Sequence, residues 1–228
     1  MSTPPNPHPP SILPEGLYAL VDDGLRPDVP LVQKAKTVLD GGVRVMQLRM
    51  KSLPTREALA AAREIVALCR AHGAVCLIND RVDLALLTDA DGVHLGDDDL
   101  PVEDARRLLG PRALIGRTVR NRADVVDAAR VGASYVGLGP IFPTTTKTVA
   151  HAPIGIAGLE EVARNSPLPI VAIAGITLDT IAEVARAGAH GAAVGSDLLC
   201  ARDVAERARS LGRAFDSGRA ARRIAASP

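Results

Sequence analysis

Gly41-Gly42-Val43-Arg44-Val45-Met46-Gln47-Leu48-Arg49-Met50-Lys51 sets a glycine pair that closes a helix ahead of a strand. Read as a strand, its alternate side chains Val43, Val45, Gln47, Arg49 and Lys51 share one face. An apolar row thus ends in an amide and two cations, which suits an anion at the strand's outgoing end. The plainer reading, in which Arg49 and Lys51 have simply left the core, fits a lone charge pair better than a strict Gln-x-Arg-x-Lys alternation.

The same joint of helix-ending glycine and short apolar run recurs three times, at Asp91-Gly92-Val93-His94-Leu95-Gly96, at Gly132-Ala133-Ser134-Tyr135-Val136-Gly137-Leu138-Gly139 and at Gly188-Ala189-His190-Gly191-Ala192-Ala193-Val194-Gly195. Filling the gaps predicts strands at Leu17–Val21, Val43–Gln47, Val75–Ile78, Gly92–His94, Leu114–Ile115, Tyr135–Gly137, Ile170–Ile173 and Ala192–Val194. Helical periodicity separates them, clearest over Thr55–His72, Arg122–Val131, Leu178–Ala187 and Arg202–Phe215. Strands and helices alternating in this way predict an α/β chain folded as a single (β/α)₈ TIM barrel. A doubly wound open sheet is the alternative, weakened because no Gly-x-Gly-x-x-Gly fingerprint follows the first strand.

The 228 residues, 47% hydrophobic and 23% charged, suffice for one sizeable core. A net charge of +1, with 2% aromatics and no Trp, argues against nucleic-acid binding, which needs cations for phosphate and rings for bases. Cys69, Cys76 and Cys200 lack zinc or C-x-x-C spacing and read as small core residues in a reducing, cytoplasmic setting. No membrane span is expected. Residues 1–14, with five prolines in the first ten, read as a disordered tail. Residues 15–216 form the catalytic domain, and 217–228, with Arg219, Arg222 and Arg223 among small residues, read as a basic flexible tail. A homo-oligomer is left open.

In a barrel of this kind, catalytic groups belong where strands end. Strand two ends in Gln47, Arg49 and Lys51, strand three in Asn79-Asp80, and strand four in His94 and Asp97-Asp98-Asp99. Strand five ends in Gly116-Arg117-Thr118, and strand six runs into the long loop Gly139-Pro140-Ile141-Phe142-Pro143-Thr144-Thr145-Thr146-Lys147. Asn79-Asp80 and Asp97–Asp99 could each simply cap the following helix. Taken together, two carboxylates beside Arg49, Lys51 and Lys147 better match Mg²⁺ shared with phosphate oxygens, since that ion binds through one or two carboxylates and completes its shell with phosphate and water. Gly175 and Gly195-Ser196, at the ends of strands seven and eight, offer backbone N–H groups for a second anion. A diphosphate site and a monophosphate site on one barrel suggest an enzyme that expels diphosphate and joins its former carrier to a phosphorylated acceptor.

In combination, Gln47-x-Arg49-x-Lys51, Asn79-Asp80, Gly92-Val93-His94-Leu95-Gly96 with Asp99, and the Gly137–Lys147 run resemble the thiamine phosphate synthase family over about Tyr18 to Leu199. The resemblance implies condensation of a hydroxymethylpyrimidine diphosphate with a thiazole phosphate, giving thiamine phosphate and diphosphate. It implies that Asp80 and Asp99 hold Mg²⁺, and that Arg49, Lys51 and Lys147 assist catalysis at the leaving group. The run Gln47-Leu48-Arg49-Met50-Lys51, with Asn79, Thr118 and Lys147, would bind the pyrimidine diphosphate, Gln47 and Thr118 touching the ring. Thr144, Thr145, Thr146, Gly175, Gly195 and Ser196 would bind the thiazole phosphate. Three residues depart from the family pattern: Ala174 where a second glycine is common, Gly195 where a branched aliphatic is usual, and Arg120 where His often stands. A thiazole tautomerase of the same fold would need that His, and a non-catalytic thiamine-phosphate-binding regulator would not need the diphosphate cluster.

Overall fold

Eight apolar segments, each too short to bury itself alone, pair in parallel and close on one another in chain order. They are β1 (Gly16–Asp22), β2 (Val45–Arg49), β3 (Val75–Asn79), β4 (Gly92–Leu95), β5 (Leu114–Val119), β6 (Tyr135–Leu138), β7 (Ile170–Ala172) and β8 (Gly191–Val194). β8 returns to β1 with Leu17 opposite Ala192, which makes the sheet a closed barrel and disposes of the open-sheet alternative. Between them lie α1 (Leu31–Asp40), α2 (Thr55–Ala71), α3 (Val82–Thr88), α4 (Val102–Leu109), α5 (Arg122–Arg130), α6 (Gly155–Ala163) and α7 (Ile181–Ala187). The short α8 (Ser196–Leu199) and long α9 (Val204–Ala225) follow β8. This computed structural model describes residues 12–144 and 152–225. Residues 1–11 and Thr145, Thr146 and Lys147 lie outside the described residues.

Alternation along the strands sorts side chains into two cores. One residue set, including Ala19, Val21, Met46, Leu48, Ile78, Val93 and Ile115, points outward and is buried under the helices. The other, Tyr18, Val45, Leu77, Leu114, Tyr135, Val171 and Ala193, fills the barrel interior, with Leu13 packed among them. The inward face expected for Val45 and Gln47 is therefore correct, and Arg49 follows them at the last residue of β2.

Three of the four glycine joints close in the left-handed region, at Gly42, Gly132 and Gly188. The fourth does not. There Asp89 takes the positive φ of 52° at the end of α3, and Gly92 instead lies inside β4, where a Cβ would stand 1.8 Å from the Leu114 carbonyl oxygen.

Both expected tails end differently from their predicted boundaries. Leu13 is 2% exposed, and its carbonyl accepts from His190 Nε2 (2.7 Å), so ordered packing begins before residue 15. At the other end α9 runs on to Ala225. Its small residues are the reason: a Cβ at Gly218 would stand 2.1 Å from the Ala182 carbonyl oxygen, so only glycine lets α9 lie this close to α7. Arg222 then donates to the Arg186 carbonyl (2.9 Å), and Arg219 pairs with Glu15. Cys69 and Cys76 are buried as expected, whereas Cys200 is exposed.

Candidate active site

The barrel's outgoing strand ends enclose a cavity of about 480 Å³. Its wall divides chemically into a cationic side, a polar floor and a side of backbone and small residues.

On the cationic side Arg49 reaches Asp22 across the β1–β2 pair (Nη1 to Oδ2, 2.6 Å). Asp22 is 4% exposed and also accepts from the Gly24 N–H (2.7 Å), so its carboxylate is fixed from both oxygens. Lys34 of α1 is itself buried and donates to the carbonyls of Asp22 (3.0 Å) and Leu25, tying down the loop behind the pair. Burial pushes the Lys34 ammonium below its ordinary value. Asp23 accepts from the backbone N–H groups of Lys51 (3.2 Å), Ser52 (2.7 Å) and Leu53 (2.9 Å), which sets the start of the β2–α2 loop.

Lys51 pairs with Asp80, and Asp80 in turn faces Asp99. Neither aspartate is a helix cap. The residues before α3 and α4 are Arg81 and Pro101, and no side chain caps either helix. Asp80 instead sits at φ 61°, and Asp99 turns back to accept from the Gly96 N–H (2.7 Å). Partial burial, then the neighbouring Asp80, push the Asp99 carboxyl above the usual carboxylate value. Two mutually repelling carboxylates beside Lys51 fit a divalent ion that keeps water and phosphate as its other ligands. Among the described residues no cluster of three or more His, Cys, Asp or Glu is placed to hold a metal, so any ion here would depend on its substrate for ligands. Asn79 lines the cavity, with Asp80 next to it in sequence beyond the lining.

The floor is a hydrogen-bonded row inside the barrel. Gln47 Nε2 donates to the Tyr18 hydroxyl (2.7 Å), which lies 2.8 Å from the Tyr135 hydroxyl. His94 Nδ1 is 3.0 Å from Tyr135, and its Nε2 is 3.0 Å from Thr118 Oγ1. Glycine makes this row fit: a Cβ at Gly116 would stand 2.2 Å from Tyr135 and 2.5 Å from His94, and one at Gly137 would stand 2.8 Å from His94. Burial raises both tyrosine hydroxyls above their ordinary values, so both stay neutral.

The third side is formed by Thr144, Ala174, Gly175, Gly195 and Ser196. Gly195 occupies the position before α8 and Ser196 is its first residue, so Ser196 is not the cap it could have been. Gly175 has no room for a side chain, since a Cβ would stand 2.5 Å from the Pro143 carbonyl oxygen. Ala174 shares its left-handed backbone, at φ 73° against 70° for Gly175. Left-handed backbone costs an L-residue roughly 1–2 kcal/mol, and glycine's extra unfolded freedom cancels part of that. Ala174→Gly is accordingly expected to stabilise the fold by about 1 kcal/mol, read as a higher denaturant midpoint at unchanged m-value.

Leu48 is fully buried in the outer core and Met50 packs against that same core, so within the Gln47–Lys51 run it is Gln47 and Arg49 that line the cavity. Period-two alternation puts Gln47 and Arg49 inward and their neighbours outward. Conversely, Asp22, Tyr18, Tyr135 and Arg120 line the cavity and were not among the expected site residues. Arg120 is held by Asp97 (2.6 Å). The alternation that singled out β2 would have found Tyr18 and Asp22 if applied to β1.

A profile of the family described as thiamine monophosphate synthase matches residues 17–198. The chain belongs to that family. Among its relatives, the thiamine-phosphate synthase of Myxococcus xanthus is 56% identical over 219 residues, covering 96% of this chain and 99% of that protein. That of Anaeromyxobacter dehalogenans is 51% identical, covering 91% and 90%. A solved structure of thiamine phosphate pyrophosphorylase from Pyrococcus furiosus superposes with a TM-score of 0.81 at 35% identity, covering 89% of this chain and 96% of that one. Membership spans the whole barrel from β1 to α8, so every described wall of the cavity lies within the family's extent.

Proposed function

We propose that this chain condenses 4-amino-2-methyl-5-hydroxymethylpyrimidine diphosphate with a thiazole phosphate, releasing diphosphate and forming thiamine phosphate. The observation that carries the reading is that Arg49 and Asn79 line one side of a cavity whose opposite side is backbone and hydroxyl, while Asp80, the residue after Asn79, pairs with Lys51 and faces Asp99. Mg²⁺, held by Asp80 and Asp99, would neutralise charge on the diphosphate as it leaves. Arg49 and Lys51 stabilise the same growing charge from fixed positions, joined by Lys147 from beyond the described residues. Gln47 and Thr118 orient the pyrimidine. Thr144 to Thr146, Gly175, Gly195 and Ser196 hold the thiazole phosphate so that its ring nitrogen meets the methylene carbon.

Water reaching the electron-poor methylene would capture it and waste the substrate, so the bound partners themselves must fill the cavity during turnover. Among the described residues no helix is long and apolar enough to cross a membrane, and cytoplasmic action on small soluble substrates accords with that. Mixing both substrates with Mg²⁺ and the protein is expected to release diphosphate and thiamine phosphate in equal amounts. Release no faster than the buffer control would overturn the reading. The thiazole phosphate alone, supplied as its non-aromatic tautomer, is not expected to isomerise faster with protein present, because an arginine at position 120 has no proton to give up near neutral pH.

A further inference from the structure

The buried row on the cavity floor can run in one of two senses, each fixed along its whole length. In one of them Gln47 turns its amide nitrogen, a donor only, to the Tyr18 oxygen. The Tyr18 proton is then left for the Tyr135 oxygen 2.8 Å away, and the Tyr135 proton for His94 Nδ1 at 3.0 Å. His94 must therefore accept at Nδ1 and carry its proton on Nε2, which gives it to Thr118 Oγ1 at 3.0 Å. At the two cavity ends this leaves the Gln47 carbonyl oxygen as an acceptor and the Thr118 hydroxyl with its proton to donate. Reversing any one link reverses them all, because each hydroxyl in the row has one proton to give.

We infer that Tyr18, Tyr135 and His94 are positioning residues that fix the hydrogen-bonding sense of Gln47 and Thr118, and so make the site read an aminopyrimidine edge rather than its oxo counterpart. An aminopyrimidine carries an N–H donor beside a ring-nitrogen acceptor. The 4-oxo analogue carries the inverse pattern, a carbonyl acceptor beside a ring N–H. The inference deepens the proposed reaction by resting on its pyrimidine substrate. Sites built to pair polar groups reject a mismatched analogue strongly, because buried partners are left unpaired. Both tyrosines being held neutral by burial keeps the row made of single-proton links.

Two measurements test it. Nitrogen-15 spectra of histidine-labelled protein without substrate, with the His94 resonances assigned by their loss in His94→Gln, should show the Nε2–H tautomer at neutral pH. An Nδ1–H tautomer or an imidazolium overturns the inference, whatever reaction the protein performs. In steady-state assays, wild-type protein should prefer the amino over the oxo pyrimidine diphosphate in kcat/KM. Tyr135→Phe should cut that preference about tenfold, the scale of one neutral hydrogen bond, with the KM for thiazole phosphate unmoved. A merely structural role would lower the melting temperature and leave the preference intact, and that result overturns the inference. Should Tyr135→Phe fail to fold, Thr118→Val carries the same expectation from the cavity end, and Thr118→Ser should restore the preference. A wild-type protein that turns over neither pyrimidine refutes the proposed reaction alone, and the tautomer then decides the inference.

Discussion

Asp80→Asn and Asp99→Asn each lower turnover by at least about 10³-fold while leaving the metal-free protein as stable as the wild type or more so. A divalent ion that offsets leaving-group charge contributes several kcal/mol to the barrier, and each 1.36 kcal/mol is a factor of ten. Asparagine is the informative replacement because it tolerates the left-handed backbone that Asp80 adopts, whereas alanine there would add strain of its own. At Asp99 the asparagine carbonyl can still accept from the Gly96 N–H, so the turn survives. The stability half follows from linkage. The Asp99 carboxyl lies above its ordinary value in the folded protein, so between the unfolded and folded values the native state holds more protons and stability falls as pH rises. Asp99→Asn removes that loss, and its melting temperature without Mg²⁺ should gain on the wild type as pH is raised through this window. Removing Asp80 leaves Lys51 without that partner, but Lys51 is half exposed, so water replaces the carboxylate at little cost. Normal turnover by both variants in Mg²⁺, or their failure to fold, contradicts the metal role.

The barrel was readable because its units repeat and each carries its own punctuation. Glycine joints, short apolar runs and helical periodicity placed all eight strands and three of the four clearest helices near their observed positions, for instance α2 at Thr55–Ala71 against an expected Thr55–His72, whereas the helix expected over Arg202–Phe215 runs on to Ala225. Period-two alternation likewise separated Gln47 and Arg49 from the outward residues. The parts that were not readable share one cause, that they depend on partners far away in the chain. Tyr18 and Tyr135 look like ordinary core residues until the closed barrel brings their hydroxyls together across 117 positions. The arginines after Phe215 look solvated until α7 supplies the Arg186 carbonyl and the residue before β1 supplies the Glu15 carboxylate. Asp22 reads as a loop carboxylate because nothing local shows that its partner is Arg49.

That last partnership sets the second large effect. Arg49→Ala should lower kcat/KM for the pyrimidine diphosphate by roughly 10²- to 10³-fold, the scale for deleting one preorganised charge stabiliser. It should also destabilise the fold by roughly 1–3 kcal/mol, because Asp22, 4% exposed, then keeps only the buried Lys34 as a neighbouring cation. Asp22→Asn separates the two effects. Asparagine keeps an oxygen for the Gly24 N–H and needs no counter-charge, so the fold should hold, yet the guanidinium loses the anchor that orients it. Activity in Asp22→Asn should therefore fall by a smaller factor, about tenfold, at near-native stability. Arg49→Lys should recover only part of the loss, since an ammonium cannot reproduce the planar fork between carboxylate and diphosphate. The double variant Asp22→Asn with Arg49→Ala closes the argument: its stability should return toward the wild-type value while its activity stays at the Arg49→Ala level. A double variant as unstable as Arg49→Ala would mean that the cost comes from lost packing of the arginine stem and not from the stranded carboxylate.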